Sequence, residues 1–81
     1  MDSPFYFEST VYWSDGDERA HFEWLDRISA VKEVRGEGVR VFLRIDPRAV
    51  DSSVLRELEA IYRRYDGDLE QLSSLRTQIE K

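Results

Sequence analysis

The chain contains no cysteine and only one histidine, His21, among its 81 residues. These absences exclude disulfides, zinc clusters and thiol nucleophiles, and also any metal site built from several histidines. No apolar run approaches the ~18 residues of a membrane-spanning helix, and Met1 to Pro4 lack the basic stretch that begins a secretion signal. We therefore expect a cytoplasmic protein with no membrane segment.

The chain is acidic, with 12 Lys and Arg against 17 Asp and Glu and a net charge of −5. General binding to a phosphate backbone needs the opposite charge, so a nucleic acid is not the expected partner. Residues 1–30 are strongly acidic, and only residues 31–50 are locally basic. The apolar share of 41% is enough for one modest core, and the length predicts a single domain over residues 1–81.

Alternating aromatic and β-branched residues predict a first strand from Phe5 to Trp13. A helix follows and runs to about Ile28, with Ser14 or Asp15 as its N-cap. Acidic residues in its first turn favour this start because they interact well with the helix dipole.

Residues 30–35 and 39–46 predict a hairpin joined by the glycine-containing turn at 36–38. The second of these strands alternates clearly between apolar and polar positions. Its inward positions are Val39, Val41, Leu43 and Ile45, and its outward positions are Arg40, Phe42 and Arg44.

Two more helices complete the chain. The first is capped by Asp51, Ser52 or Ser53 and ends near Gly67, which is predicted at the left-handed position after the helix. Its apolar stripe is formed by Leu55, Leu58, Ile61, Tyr62 and Tyr65. The second starts at the cap Asp68 and repeats apolar residues at helical spacing, namely Leu69, Leu72, Leu75 and Ile79.

The element order β-α-β-β-α-α predicts an α+β fold. A right-handed crossover leaves a gap between the first two strands that the hairpin partner can fill, so we expect a three-stranded antiparallel sheet of order 2-3-1 with helices on one face. This split βαβ unit resembles a truncated ferredoxin-like fold without the fourth strand.

His21 is the candidate titrating residue near neutral pH. Its place among apolar neighbours on the first helix indicates a half-buried position at the rim of the core, and no serine, cysteine or second histidine is placed to act with it. The acidic runs at 15–18 and 66–70 lack the spacing of a calcium loop and are typical of turns and caps. We therefore expect no enzyme activity, no metal and no cofactor.

The outward face of the sheet is the predicted interaction face, because tyrosine, phenylalanine and arginine are enriched at interface hot spots. Its predicted residues are Tyr6, Tyr12, Arg40, Phe42 and Arg44. Three interpretations stay open: a protein contact, a platform for a small ligand or single-stranded RNA, and an ordinary solvated sheet face.

The open edge of the first strand predicts a homodimer, because two copies could pair along it. The competing solution is a monomer whose last helix covers that edge. We therefore expect a small non-enzymatic protein-interaction module, homodimeric through the sheet edge or the outer face, with a further protein partner of unknown identity. The alternative is a domain that binds a small ligand or single-stranded RNA on the outer face.

Overall fold

The protein is seen here as a computed structural model that describes residues 3–80. It contains three strands and three α-helices, which confirms the α+β class. Their bounds are β1 (Phe5–Glu8), α1 (Asp15–Asp26), β2 (Val31–Glu37), β3 (Arg40–Ile45), α2 (Ser52–Arg64) and α3 (Ser73–Glu80). The strands form one antiparallel sheet in the order β1-β3-β2. Short 3₁₀ turns at Pro47–Ala49 and Leu69–Leu72 precede α2 and α3.

The predicted first strand is too long. β1 ends at Glu8 because Ser9 takes a φ of 54°, in the left-handed region, which turns the chain out of the ladder. The alternation of a strand reaching Trp13 would place Val11 and Trp13 on the face opposite Tyr6 and Tyr12, towards the core, but they are 75% and 87% exposed. Tyr12 likewise leaves the outer face of the sheet, so its predicted position there is wrong.

The hairpin turn is shorter than predicted and lies further along the chain, at residues 38–39 instead of 36–38. Glu37 pairs with Arg40, which leaves Gly38 and Val39 as a two-residue turn. Gly38 has a φ of 61°, a conformation that such turns need and that glycine adopts without strain. Val39 is therefore at the tip of the hairpin and 66% exposed, and its predicted inward position is wrong.

The stripe predicted for α2 is confirmed, since all five of its apolar residues are buried. Asp51 is the N-cap and accepts a hydrogen bond from the Val54 amide at 2.8 Å. The role predicted for Gly67 is wrong, because Asp66 holds the left-handed conformation with a φ of 59°. Gly67 serves close packing instead: a Cβ there would lie 2.7 Å from the rings of Phe7 and Tyr62.

The core lies between the inner face of the sheet and the helices. Each strand and helix contributes to it, and its completely buried members include Phe7, Leu25, Leu43, Leu58, Ile61, Tyr62 and Leu72. Such burial is the main stabilising contribution to folding. Across residues 3–80, every helix is too short or too polar to cross a bilayer.

Candidate interaction site

Four of the five predicted interface residues share the outer face, the side of the sheet opposite the helices. Phe42 pairs with Tyr6 across β1 and β3, and their ring centroids are 5.6 Å apart. The guanidinium of Arg40 lies 5.3 Å from the centre of the Tyr6 ring. Arg44 lies at the other end of β3. Phe42 is only 8% exposed, so little of its ring is available to a ligand.

Glutamates lie opposite the arginines of the outer face. Arg40 Nε is 2.6 Å from Glu8, and Arg44 Nε is 3.6 Å from Glu33. A third arginine, Arg35, lies 3.9 Å from a glutamate two positions along β2. These six charges cancel, so they give the face no net positive charge with which to attract nucleic acid.

The open edge of β1 is partly covered from within the chain. The amide N–H of Tyr6 points away from β3 and donates to Gln71 Oε1 at 2.8 Å. The same oxygen accepts the hydroxyl of Tyr62 at 2.9 Å. One strand donor that a second copy would need is therefore already occupied.

The segment from Ser9 to Ser14, here called the 9–14 segment, is held to the fold at three points before its last residue caps α1. The Ser9 amide donates to the Val39 carbonyl at 2.7 Å. The Tyr12 hydroxyl lies 2.6 Å from Nδ1 of His21. The Trp13 amide donates to Asp17 Oδ2 at 3.1 Å, while Ser14 caps α1. This irregular segment therefore has a defined path.

His21 lies deeper than predicted. Its side chain is completely buried, because Tyr65 stacks on the imidazole with centroids 4.0 Å apart and Phe7 meets it edge-on at 4.5 Å. The predicted half-buried position at the rim is wrong, since the aromatic residues that cover the ring come from β1, from the C-cap of α2 and from the 9–14 segment. Sequence neighbours on α1 could not reveal that cover.

Burial also determines the protonation states of His21 and of its hydrogen-bond partner Tyr12. It lowers the pKa of His21 to about 4, because a charged imidazole loses its hydration there, while the nearby Asp17 carboxylate acts weakly in the opposite direction. It raises the pKa of Tyr12 to about 12, with Glu18 adding to the effect. Both side chains are neutral at pH 7. His21 Nε2 has no hydrogen-bond partner in the structure of residues 3–80.

The other side of the 9–14 segment presents apolar side chains to solvent. Val11 and Trp13 are 75% and 87% exposed. They line a small cavity of about 210 Å³ together with Arg64, whose guanidinium bonds to Asp17 at 3.2 Å. Val39, also exposed, lies beside the start of the segment. The contacts of the 9–14 segment with the hairpin and with α1 therefore hold apolar side chains in a solvent-exposed position.

One feature of the sequence could have indicated that Trp13 is exposed. It directly precedes the N-cap Ser14, and an apolar residue there normally packs on the fourth residue of the helix. That fourth residue is Glu18, which offers no apolar surface for the packing.

Among residues 3–80, no group of three or more histidine, cysteine or acidic side chains is arranged to hold a metal ion. The chain matches no protein-family model, no curated protein and no solved structure.

Proposed function

We propose that this chain is a non-enzymatic protein-interaction module that binds a protein partner through the 9–14 segment. One observation carries the proposal: the segment is fixed at three points while Val11 and Trp13 stay 75% and 87% exposed. A soluble domain gains nothing in its own stability from leaving a tryptophan in water, whereas a binding surface uses such a side chain as an anchor.

The fixed path of the segment supports binding energetically. Ordering a flexible loop costs free energy that is subtracted from the affinity. Here Tyr12 and the backbone of Trp13 are already bonded to the fold, so a partner would meet a preformed surface.

A homodimer is the second form of the proposal. Pairing through β1 has less support than the 9–14 segment, because the strand has four residues and Gln71 occupies the Tyr6 amide. Contact through the outer face, whether with a second copy, a small ligand or RNA, also has less support, because Phe42 is covered and the arginines are paired. The likeness to a truncated ferredoxin-like fold and the cytoplasmic location stay predictions.

A comparison of immobilised variants tests the proposal. Wild-type chain, Val11→Ser/Trp13→Ser and the outer-face variant Tyr6→Ser/Arg44→Ser are incubated with the same cell extract, and retained proteins are identified by mass spectrometry. Val11 and Trp13 are exposed, so we expect their replacement to change stability by less than about 0.5 kcal/mol. Thermal unfolding checks this for each variant.

We expect a protein that wild type and the outer-face variant retain and that Val11→Ser/Trp13→Ser loses. Loss only in the outer-face variant would move the interaction to the sheet and overturn the proposal. Retention by all three variants, or by none, would overturn it as well. Light scattering of wild type up to high micromolar concentration tests the homodimer, and a mass of 9.6 kDa throughout would contradict it.

A further inference from the structure

A second, larger cavity of about 350 Å³ lies beside the 9–14 segment, between α1 and the end of the hairpin. It exists because β1 stops at Glu8 and because Gly36, which pairs with Val41, puts no side chain on the inner face there. A Cβ at Gly36 would meet no atom within 4 Å. Ser9 and Thr10 line both this cavity and the smaller one beside Trp13.

The walls of this cavity combine aromatic and aliphatic side chains with polar ones and with one carboxylate that has no ion pair among the described residues. Tyr12 and Phe22 contribute rings, and Val39 and Val41 contribute apolar surface. Glu18 is the unneutralised group, since it has no ion pair within residues 3–80. Arg40 also borders the cavity, but its guanidinium is bonded to Glu8 at 2.6 Å and lies over Tyr6 on the outer face.

We propose that this cavity accepts the cationic side chain, lysine or arginine, of the partner that the 9–14 segment binds. The inference rests on the proposed function for its protein partner and adds the chemistry of the contact. A cation is attracted both by the faces of aromatic rings and by a carboxylate. The aliphatic stem of lysine or arginine would pack on Val39 and Val41 while its charged head reaches Glu18.

Size and charge both fit this occupant. The volume is at the lower end of the range for ligand pockets, so the cavity has room for one lysine or arginine side chain. A chain of net charge −5 attracts a basic partner over long range. A symmetric contact between two copies at this surface would instead bring two Glu18 carboxylates towards each other, so the cavity favours a different, basic protein over a second copy.

Blocked amino-acid amides test the cavity without the partner. Isotope-labelled chain is titrated with Nα-acetyl-arginine methylamide, its lysine counterpart and the neutral citrulline counterpart, and amide shifts are followed by NMR. We expect saturable shifts at Tyr12, Glu18 and Gly36 with the two cations, and binding of the citrulline amide at least about tenfold weaker. Equal binding of the citrulline amide, or no saturable shift, would overturn the proposal.

Three variants locate the binding. Glu18→Gln should weaken the arginine amide about tenfold, whereas Glu23→Gln, which removes the same charge from an exposed site on the same helix, should leave it unchanged. Gly36→Val should narrow the cavity and weaken binding, and Glu18→Gln keeps the test decisive if that chain does not fold. Equal losses in Glu18→Gln and Glu23→Gln would contradict a local site.

Two further measurements distinguish a failure of this inference from a failure of the proposed function. Val11→Ser/Trp13→Ser should still bind the arginine amide, because neither side chain lines this cavity. Failure of partner capture with intact amide binding would therefore count against the proposed function alone. Free arginine binding more tightly than its blocked amide would assign the cavity to a small metabolite and overturn the side-chain assignment.

Discussion

The hydroxyl of Tyr12 and Nδ1 of His21 lie 2.6 Å apart, and this bond joins the 9–14 segment to α1. Both partners are neutral at pH 7, so the contact is an ordinary hydrogen bond in an aromatic surrounding. It places Tyr12 inward while its neighbours Val11 and Trp13 remain exposed. The proposed interaction surface therefore depends on a buried group.

The burial of His21 predicts acid sensitivity. Its pKa is 6.5 in the unfolded chain and about 4 in the fold, so between these values the unfolded chain binds more protons. The free energy of unfolding should therefore be fully present above pH 6.5 and should fall as the pH drops towards 4, by roughly 3 kcal/mol in total. Urea unfolding at half-unit pH steps measures this loss.

A chain without the imidazole separates this effect from the carboxylates that titrate in the same range. His21→Leu should show a flatter dependence between pH 6.5 and pH 4, with the difference in slope assigned to His21. The same slope in both chains would contradict the buried neutral histidine.

Removing the tyrosine hydroxyl tests the bond itself. Tyr12→Phe leaves both ring nitrogens of the buried His21 without a partner, and an unsatisfied buried polar group costs about 1–3 kcal/mol. Equilibrium unfolding at pH 7 measures the loss. Tyr6→Phe is the control, because its hydroxyl forms no hydrogen bond within the described part of the chain. An equal loss of stability in the two variants would refute a special role for the Tyr12 hydroxyl.

The sequence predicted those elements whose signal is local and repeated. The stripe of α2 was correct because five apolar residues at helical spacing leave one buried face. The end of β1 was missed because apolar residues continue to alternate through Trp13, and only the left-handed Ser9 interrupts the strand. The depth of His21 was missed because Phe7 and Tyr65, which cover it, are distant in sequence.

The same contrast holds at the candidate site. The aromatic and basic residues of β3 were placed on the correct face, but the glutamates opposite them come from β1 and β2. Which residues lie opposite each other depends on the register between the strands, and the sequence of a single strand does not contain that information. Val11 and Trp13 are exposed because β1 ends at Glu8. The alternating sequence predicts a strand as far as Trp13, so it does not indicate the 9–14 segment.

The tight packing at Gly67 predicts a large effect from one methyl group. Gly67→Ala would place a Cβ 2.7 Å from ring atoms of Phe7 and Tyr62, and these fully buried rings have little room to move. We expect a loss of about 1–3 kcal/mol, typical of overpacking. Gly36→Ala is the matched control, with open space around its Cβ and an expected change within about 0.5 kcal/mol. Thermal unfolding of both variants measures these changes. Similar unfolding midpoints for the two variants would show that Gly67 is not closely packed.

Gln71 predicts how the edge of β1 behaves. Gln71→Ala removes the acceptor of two donors, the Tyr6 amide and the hydroxyl of the fully buried Tyr62. The unsatisfied hydroxyl should lower the free energy of unfolding by about 1–3 kcal/mol. The freed amide restores a strand edge that a second copy can pair with, so light scattering should show a mass that rises with concentration more steeply than for wild type. Gln78→Ala, which removes only an exposed bond to the Pro47 carbonyl, is the control and should change neither quantity appreciably. If wild type is already dimeric and Gln71→Ala associates no more strongly, Gln71 does not protect the edge. In that case the hydrogen bond from the Tyr6 amide to Gln71 no longer counts against a dimer that pairs through β1.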